Sequence, residues 1–517
     1  MATMLTIPCL AETFTGLSLF GAEFLSIAAS PVTNYSISVQ VSDRFTQPAV
    51  EVQNVAFCNV TVTYTHPGQA DTIAVEVWLP PADGWNGRLQ AVGGAGWVAG
   101  RSPLTAVAMA GAVSDGYATV TTDAGLRDPQ DSVVPWALLS PGNPDLYSLQ
   151  NLASVSLDDE ATIAKSLIKA YYRRGPEYSY WNGCSQGGRQ GLMLAQRYPT
   201  AYDGIAAGAP PLHWTNDLLA MLWPQQFMSM LGKHPYPCEI QAISAAATAA
   251  CDGLDGLVDG IVNDVEGCLA SFDVFELVGR AITDCPEVSE ITWEATAVVN
   301  ATWQGMRNSH GANVWPGPTP GTDLAIGVAN NDCTSGTCQG VLVPVSVPWV
   351  TQFIARGADL DFTNLTHAEF DELVHQGQQR YRSIMGTDDP DLFAFRNAGG
   401  KMVTYHGLID QLLPPKGTIK YYDAASALVP DIHDFYRHFE IPGMGHCSGG
   451  GPSGNPTSLF DQLRAWVENG TAPDSSPVQV TDLEGGVGER ILCPYPQKAI
   501  FDRDCGAAGE RRCWSCK

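Results

Sequence analysis

The sequence predicts an α/β fold: a mostly parallel sheet with helices on both faces, interrupted by a large inserted lid. Three observations carry this. Strand patterns alternate with helix patterns on both sides of Ser185. Strand periodicity fades from about 212 to 395, where Gly/Pro/Asn turns gather with Cys238, Cys251, Cys268, Cys285, Cys333 and Cys338. It returns at Lys401. The expected division is 1–211 for the first part of the main domain, 212–395 for the lid, and 396–517 for the second part, which ends in a cysteine-rich tail.

The elements follow in order. Asn59–Tyr64 and Ile73–Leu79 alternate apolar and polar residues and read as strands. Arg88–Val92 is a strand entering the glycine turn Gly93-Gly94-Ala95-Gly96, and Tyr117–Thr122 is a strand ending before Asp123. Residues 158–175 read as a helix with Ile163, Leu167 and Ala170 on one face. Tyr178–Trp181 forms a short strand that leads into the turn at Ser185, and Gly188–Tyr198 is a helix stopped by Pro199. After the lid, Lys401–Gly407 and Phe435–Phe439 read as strands and Ser458–Glu468 as a helix. The tail carries Cys493, Cys505, Cys513 and Cys516 and is expected to be stapled to the body.

Composition narrows the function classes. The chain has 517 residues, 45% hydrophobic and 16% charged, which describes a globular protein. Its net charge of -26 disfavours nucleic acid and anionic lipid as partners. No apolar run reaches the ~18 residues of a membrane span. The 14 cysteines lack zinc-ribbon spacing and read as disulfides of an oxidising compartment. Sequons at Asn34, Asn59, Asn300, Asn364 and Asn469 agree with a secretory route. Met1–Ser30 lacks a basic start and is interrupted by Glu12 and Glu23, so it does not read as a signal peptide.

The chemistry centres on Gly183-Cys184-Ser185-Gln186-Gly187. A G-x-S-x-G pattern is common by chance. Between a strand and a helix it becomes a nucleophile elbow, whose tight turn lifts the serine hydroxyl out of the sheet. The hydroxyl needs a base, and His446 in Gly443-Met444-Gly445-His446-Cys447 is the candidate. The decisive coincidence is sulfur: Cys184 precedes the serine and Cys447 follows the histidine, so a Cys184–Cys447 disulfide would join the two. Asp410 is the expected carboxylate that fixes the imidazole, with Asp431 and Asp434 as rivals. The chain order Ser185, Asp410, His446 is that of an α/β-hydrolase. The Gln186 N–H is one expected oxyanion donor. Gly94 is the choice for the second, its neighbours' amides staying open.

The lid carries a second constellation, Cys251-Asp252-Gly253-Leu254-Asp255-Gly256-Leu257-Val258-Asp259-Gly260-Ile261. Three carboxylates in eight residues repel one another unless a cation sits among them. Hard oxygen ligands suit Ca2+. The expected ligands are the Asp252, Asp255 and Asp259 side chains with the Leu257 and Ile261 carbonyls.

With these residues in view, the chain resembles the tannase/feruloyl esterase family from about Cys58 to its end. The points of likeness are Cys184-Ser185, Asp410 and His446-Cys447, with Gly93–Trp97, Gly204–Pro210 and the Cys251–Cys268 aspartate loop. The resemblance implies a secreted serine hydrolase with a structural calcium in the lid, an acyl pocket built mostly by the lid, and a Cys9–Cys58 pair. Ala95 stands where a glycine is common, and Gln186 where tannase-like members carry an acid. The expected activity is hydrolysis of esters of aromatic acids, of feruloyl (hydroxycinnamoyl) or galloyl type, with a small-molecule substrate and no organic cofactor. The alternatives are a tannase or secondary-metabolite esterase and, from another class, a non-catalytic binding protein on the same scaffold.

Overall fold

A computed structural model of the chain describes residues 8–126 and 132–517. Nine strands form the central sheet: β1 (Glu23–Val39), β2 (Val50–Thr65), β3 (Ile73–Leu79), β4 (Arg88–Val92), β5 (Ala118–Thr122), β6 (Tyr178–Cys184), β7 (Gly204–Gly208), β8 (Lys401–Gly407) and β9 (Tyr436–Ile441). Their spatial order is β1-β2-β3-β5-β4-β6-β7-β8-β9. The strands from β5 to β9 in that order run parallel, and β1, β2 and β3 are antiparallel. This is the α/β-hydrolase architecture.

Burial explains the strand sequences. From Ser179 to Cys184, β6 is buried at every residue, so it reads as a continuous run without alternation. Helices cover both faces. α1 (Pro103–Ser114) opens on a Ser102 cap that accepts the Thr105 N–H, and it packs on β2 and β5. α2 (Ser156–Tyr172) turns Ile163 and Leu167 into the core, with Ala170 half-buried. α3 (Gln186–Arg197) follows β6 without a spacer other than Ser185. The sequence reading missed α1 and all of β1, including Glu23–Ser30 of the segment read for a leader; residues 1–7 of that segment lie outside the described residues.

Between β7 and β8 the chain makes a long helical excursion. Its core joins Trp214, Trp349, Phe353 and Tyr381 to Trp97, Trp136 and Leu152 of the sheet-bearing part. Lid and main domain therefore share one apolar core.

All fourteen cysteines are paired. Cys9 bonds Cys58 and Cys184 bonds Cys447. The tail corrects an expectation: Cys493–Cys516 and Cys505–Cys513 close within it and do not reach the body. Backbone contacts hold it down instead, with the Tyr495 N–H donating to the His438 carbonyl at 2.7 Å. Among the described residues no helix is long and apolar enough to cross a membrane.

Candidate active site

Parallel strands deliver their carboxyl ends to one edge of a sheet. Ser185 follows β6, Asp410 follows β8 and His446 follows β9, so topology alone gathers the three on that edge. Ser185 has φ +57°, a left-handed conformation rare for a residue with a side chain. Gly183 makes the sharp turn possible, since a Cβ there would lie 2.7 Å from the Gly187 carbonyl carbon. The Cys184–Cys447 bond, with Cα atoms 5.8 Å apart, clamps the serine turn to the histidine loop.

His446 Nδ1 lies 2.7 Å from Asp410 Oδ2. Asp410 is fully buried and accepts from every side: Leu412 and Leu413 N–H donate to Oδ1 at 2.9 and 2.8 Å, and His406 Nε2 reaches Oδ2 at 3.1 Å. Burial alone would raise its pKa. The adjoining His446 charge and the histidine hydrogen bonds outweigh burial and hold the carboxyl well below the usual range. For His446, burial opposes the charged ring, but the Asp410 carboxylate outweighs it and raises the imidazole above 6.5. The rival Asp431 is paired with Arg396 instead.

Sequence reasoning overlooked three supports. His406 is buried, and its Nε2 faces two acceptors, Asp410 Oδ2 and the Leu413 carbonyl, both at 3.1 Å. Its Nδ1 sits 2.8 Å from Thr418 Oγ1. Arg189 is buried in α3, donates to the Gln186 Oε1 at 2.8 Å, and is pushed down to about 9 by burial. Gln190 accepts the Gly94 N–H through Oε1 at 2.9 Å and donates to the Ala99 carbonyl at 2.7 Å. The His406-x-x-x-Asp410 spacing off the end of a strand was the one signal available for the first.

The Gln190 contact corrects the Gly94 expectation, because the Gly94 amide is already spent inside the fold. Ala95, in a bridge with Val98, lines the same pocket as Ser185, Gln186 and His446. That pocket measures about 340 Å3, within the ~300–1,000 Å3 of small-molecule sites. A larger cavity of about 510 Å3 lies behind the Asp410 segment and contains neither Ser185 nor His446.

The aspartate loop is held by its own carboxylates. Asp252 Oδ1 and Oδ2 accept the Asp259 and Gly260 N–H groups at 2.9 and 3.0 Å. Asp255 accepts the Leu257 N–H at 2.9 Å. Asp259 Oδ2 lies 2.7 Å from Arg490 Nη2, and the Ile261 N–H donates to Asp259 Oδ1 at 3.0 Å. Every candidate ligand atom is a hard oxygen, which suits Ca2+.

The tannase and feruloyl esterase family profile matches residues 58–513. The chain belongs to this family. Membership makes it a carboxylic ester hydrolase. It is 36% identical over 482 residues to a probable feruloyl esterase of Arthroderma benhamiae, covering 92% of this chain and 88% of that one. It is 32% identical over 479 residues to a mono(2-hydroxyethyl) terephthalate hydrolase of Piscinibacter sakaiensis, covering 81% and 78%. Among solved structures, a tannin acyl hydrolase from Aspergillus niger superposes with a TM-score of 0.86 at 25% identity, over 99% of this chain and 96% of that one.

Proposed function

We propose that the chain hydrolyses esters of aromatic acids through an acyl-enzyme on Ser185. The observation that carries this is the joined pair of loops: a disulfide beside the serine and the histidine, with a buried aspartate on the histidine's far nitrogen. Ser185 Oγ attacks the ester carbonyl and its proton passes to His446 Nε2. Asp410 fixes the ring and stabilises the imidazolium. The Gln186 N–H receives the oxyanion, together with a second donor from the turn that carries Ala95 and Gly96. His446 then gives the proton to the departing alkoxide. Water, deprotonated by the same imidazole, attacks the acyl carbon, and Ser185 leaves with the proton restored.

Seven disulfides and the exposed sequon residues Asn34, Asn364 and Asn469 support an extracellular protein. Asn59 is a poor glycan site, since its amide donates to Glu76 at 3.2 Å within the sheet. The aspartate loop supports a structural Ca2+ held by Asp252, Asp255, Asp259 and the Leu257 and Ile261 carbonyls. The ion would neutralise clustered negative charge and takes no part in ester cleavage.

The test is Ser185→Ala. It is expected to abolish hydrolysis of p-nitrophenyl esters and labelling by a fluorophosphonate while leaving the melting transition in place. Undiminished turnover by this variant refutes the assignment.

A further inference from the structure

The cavity of about 510 Å3 lies where the aspartate loop, the helix Pro415–Leu428 and the tail meet. It shares no lining residue with the catalytic pocket. Its floor is apolar: Leu408 leaves the end of β8, Ile419 comes from the helix, and Val480 and Leu492 come from the tail's hairpin. Tyr495 and Trp514 add aromatic faces. Around this floor the charges cancel, four basic side chains against four acidic ones. Several are already engaged. Lys416 Nζ lies 2.7 Å from Glu266 Oε1, Arg490 is paired with Asp259, and the Tyr495 hydroxyl donates to Asp423. Glu440 differs from these. Side chains alternate along β9, so Phe439 and Ile441 join the core around Trp466 while Glu440 turns to the cavity. It is half-buried and accepts no hydrogen bond among the described residues. Burial pushes its carboxyl up, against the pull of Lys498.

An acceptor held on an apolar wall gains from any ligand that brings it a donor. Balanced charge around the cavity gives no field that would select a cation or an anion. A neutral molecule with a flat apolar body and a hydroxyl group meets both conditions. Its ring gains contact with Leu408, Ile419 and the two aromatic faces, and its O–H has an acceptor waiting. The volume has room for a substituted ring. We propose that this cavity is a second small-molecule site, which takes a neutral phenol whose hydroxyl donates to Glu440. The site is independent of the chemistry at Ser185.

The experiment is isothermal titration of the fluorophosphonate-treated full chain, in calcium-containing buffer, with 4-ethylphenol, 4-ethylanisole and benzylamine. 4-Ethylphenol is expected to bind. Its affinity should fall by about tenfold or more in Glu440→Leu, and 4-ethylanisole, which has no O–H, should bind the parent more weakly by a similar factor. Melting curves and the p-nitrophenyl butyrate turnover of untreated protein report that the variants are folded. Should Glu440→Leu fail to fold, Ala499→Trp, which fills the cavity from the tail side, is expected to weaken 4-ethylphenol in the same way. The proposal is overturned by an absence of 4-ethylphenol binding, by unchanged affinity in the folded variant, or by benzylamine binding more tightly than the phenol. The variants locate the site whether or not Ser185 is labelled.

Discussion

His406 and His446 converge on one oxygen of Asp410, at 3.1 and 2.7 Å. This buried carboxylate is thus gripped by two imidazoles. His406 acts only through Asp410, as a positioning residue. Asp410→Asn removes the acceptor and is expected to lower kcat by about 10^4. His406→Leu leaves one lone pair of a buried carboxylate unserved, with an expected loss of about tenfold or more. His406→Gln, which retains an N–H, recovers part of that loss. Equal kcat values for His406→Leu and the parent would remove His406 from the mechanism.

The rate should fall on the acid side as His446 takes up a proton. Its folded pKa is raised above 6.5, so the acid limb of kcat/KM is expected above pH 6.5. Stability follows the opposite signs of the pair. The raised His446 value contributes stability that is present below pH 6.5 and is lost as pH rises through the folded value. The depressed Asp410 value contributes stability present above about pH 3.8, lost as pH falls toward the lower folded value. A pH–rate profile whose acid limb lies at pH 5 would contradict this picture.

Breaking the Cys184–Cys447 bond should loosen the whole molecule. It links residues 263 apart in sequence, and closing so long a loop is worth on the order of 5 kcal/mol in the chain-entropy account. The double variant Cys184→Ser/Cys447→Ser is expected to unfold at markedly lower denaturant and to lose activity before it loses secondary structure. Coincident loss of both signals would show that the bond serves stability alone.

Calcium should raise the melting temperature of chelator-treated protein, by an amount that depends on ion concentration. Asp252→Asn is expected to erase the response. Arg490 already accompanies Asp259, so Arg490→Gln should strengthen it. A transition that ignores millimolar Ca2+ would dispose of the proposed site.

The sheet was legible because its central strands are short, apolar and set off by turn residues, as Ile73–Leu79 and Arg88–Val92 illustrate. The gathering of Ser185, Asp410 and His446 was legible because adjacent cysteines doubled as distance information. Gly94 was misassigned for the opposite reason: its amide is taken by Gln190, 96 residues away, and no local pattern announces such a contact. The long strand β1 escaped because its burial is partial and irregular along an antiparallel edge. The lid's helices escaped because many are short and interrupted by loops.

The covalent clamp separates two tasks within one molecule. Reaction machinery sits on bolted strand ends, while Trp214, Leu218, Met221 and Val345 approach it from the excursion between β7 and β8. Of those four, Trp214 also packs against Arg189, which holds Gln186, so a change there reaches the serine turn itself.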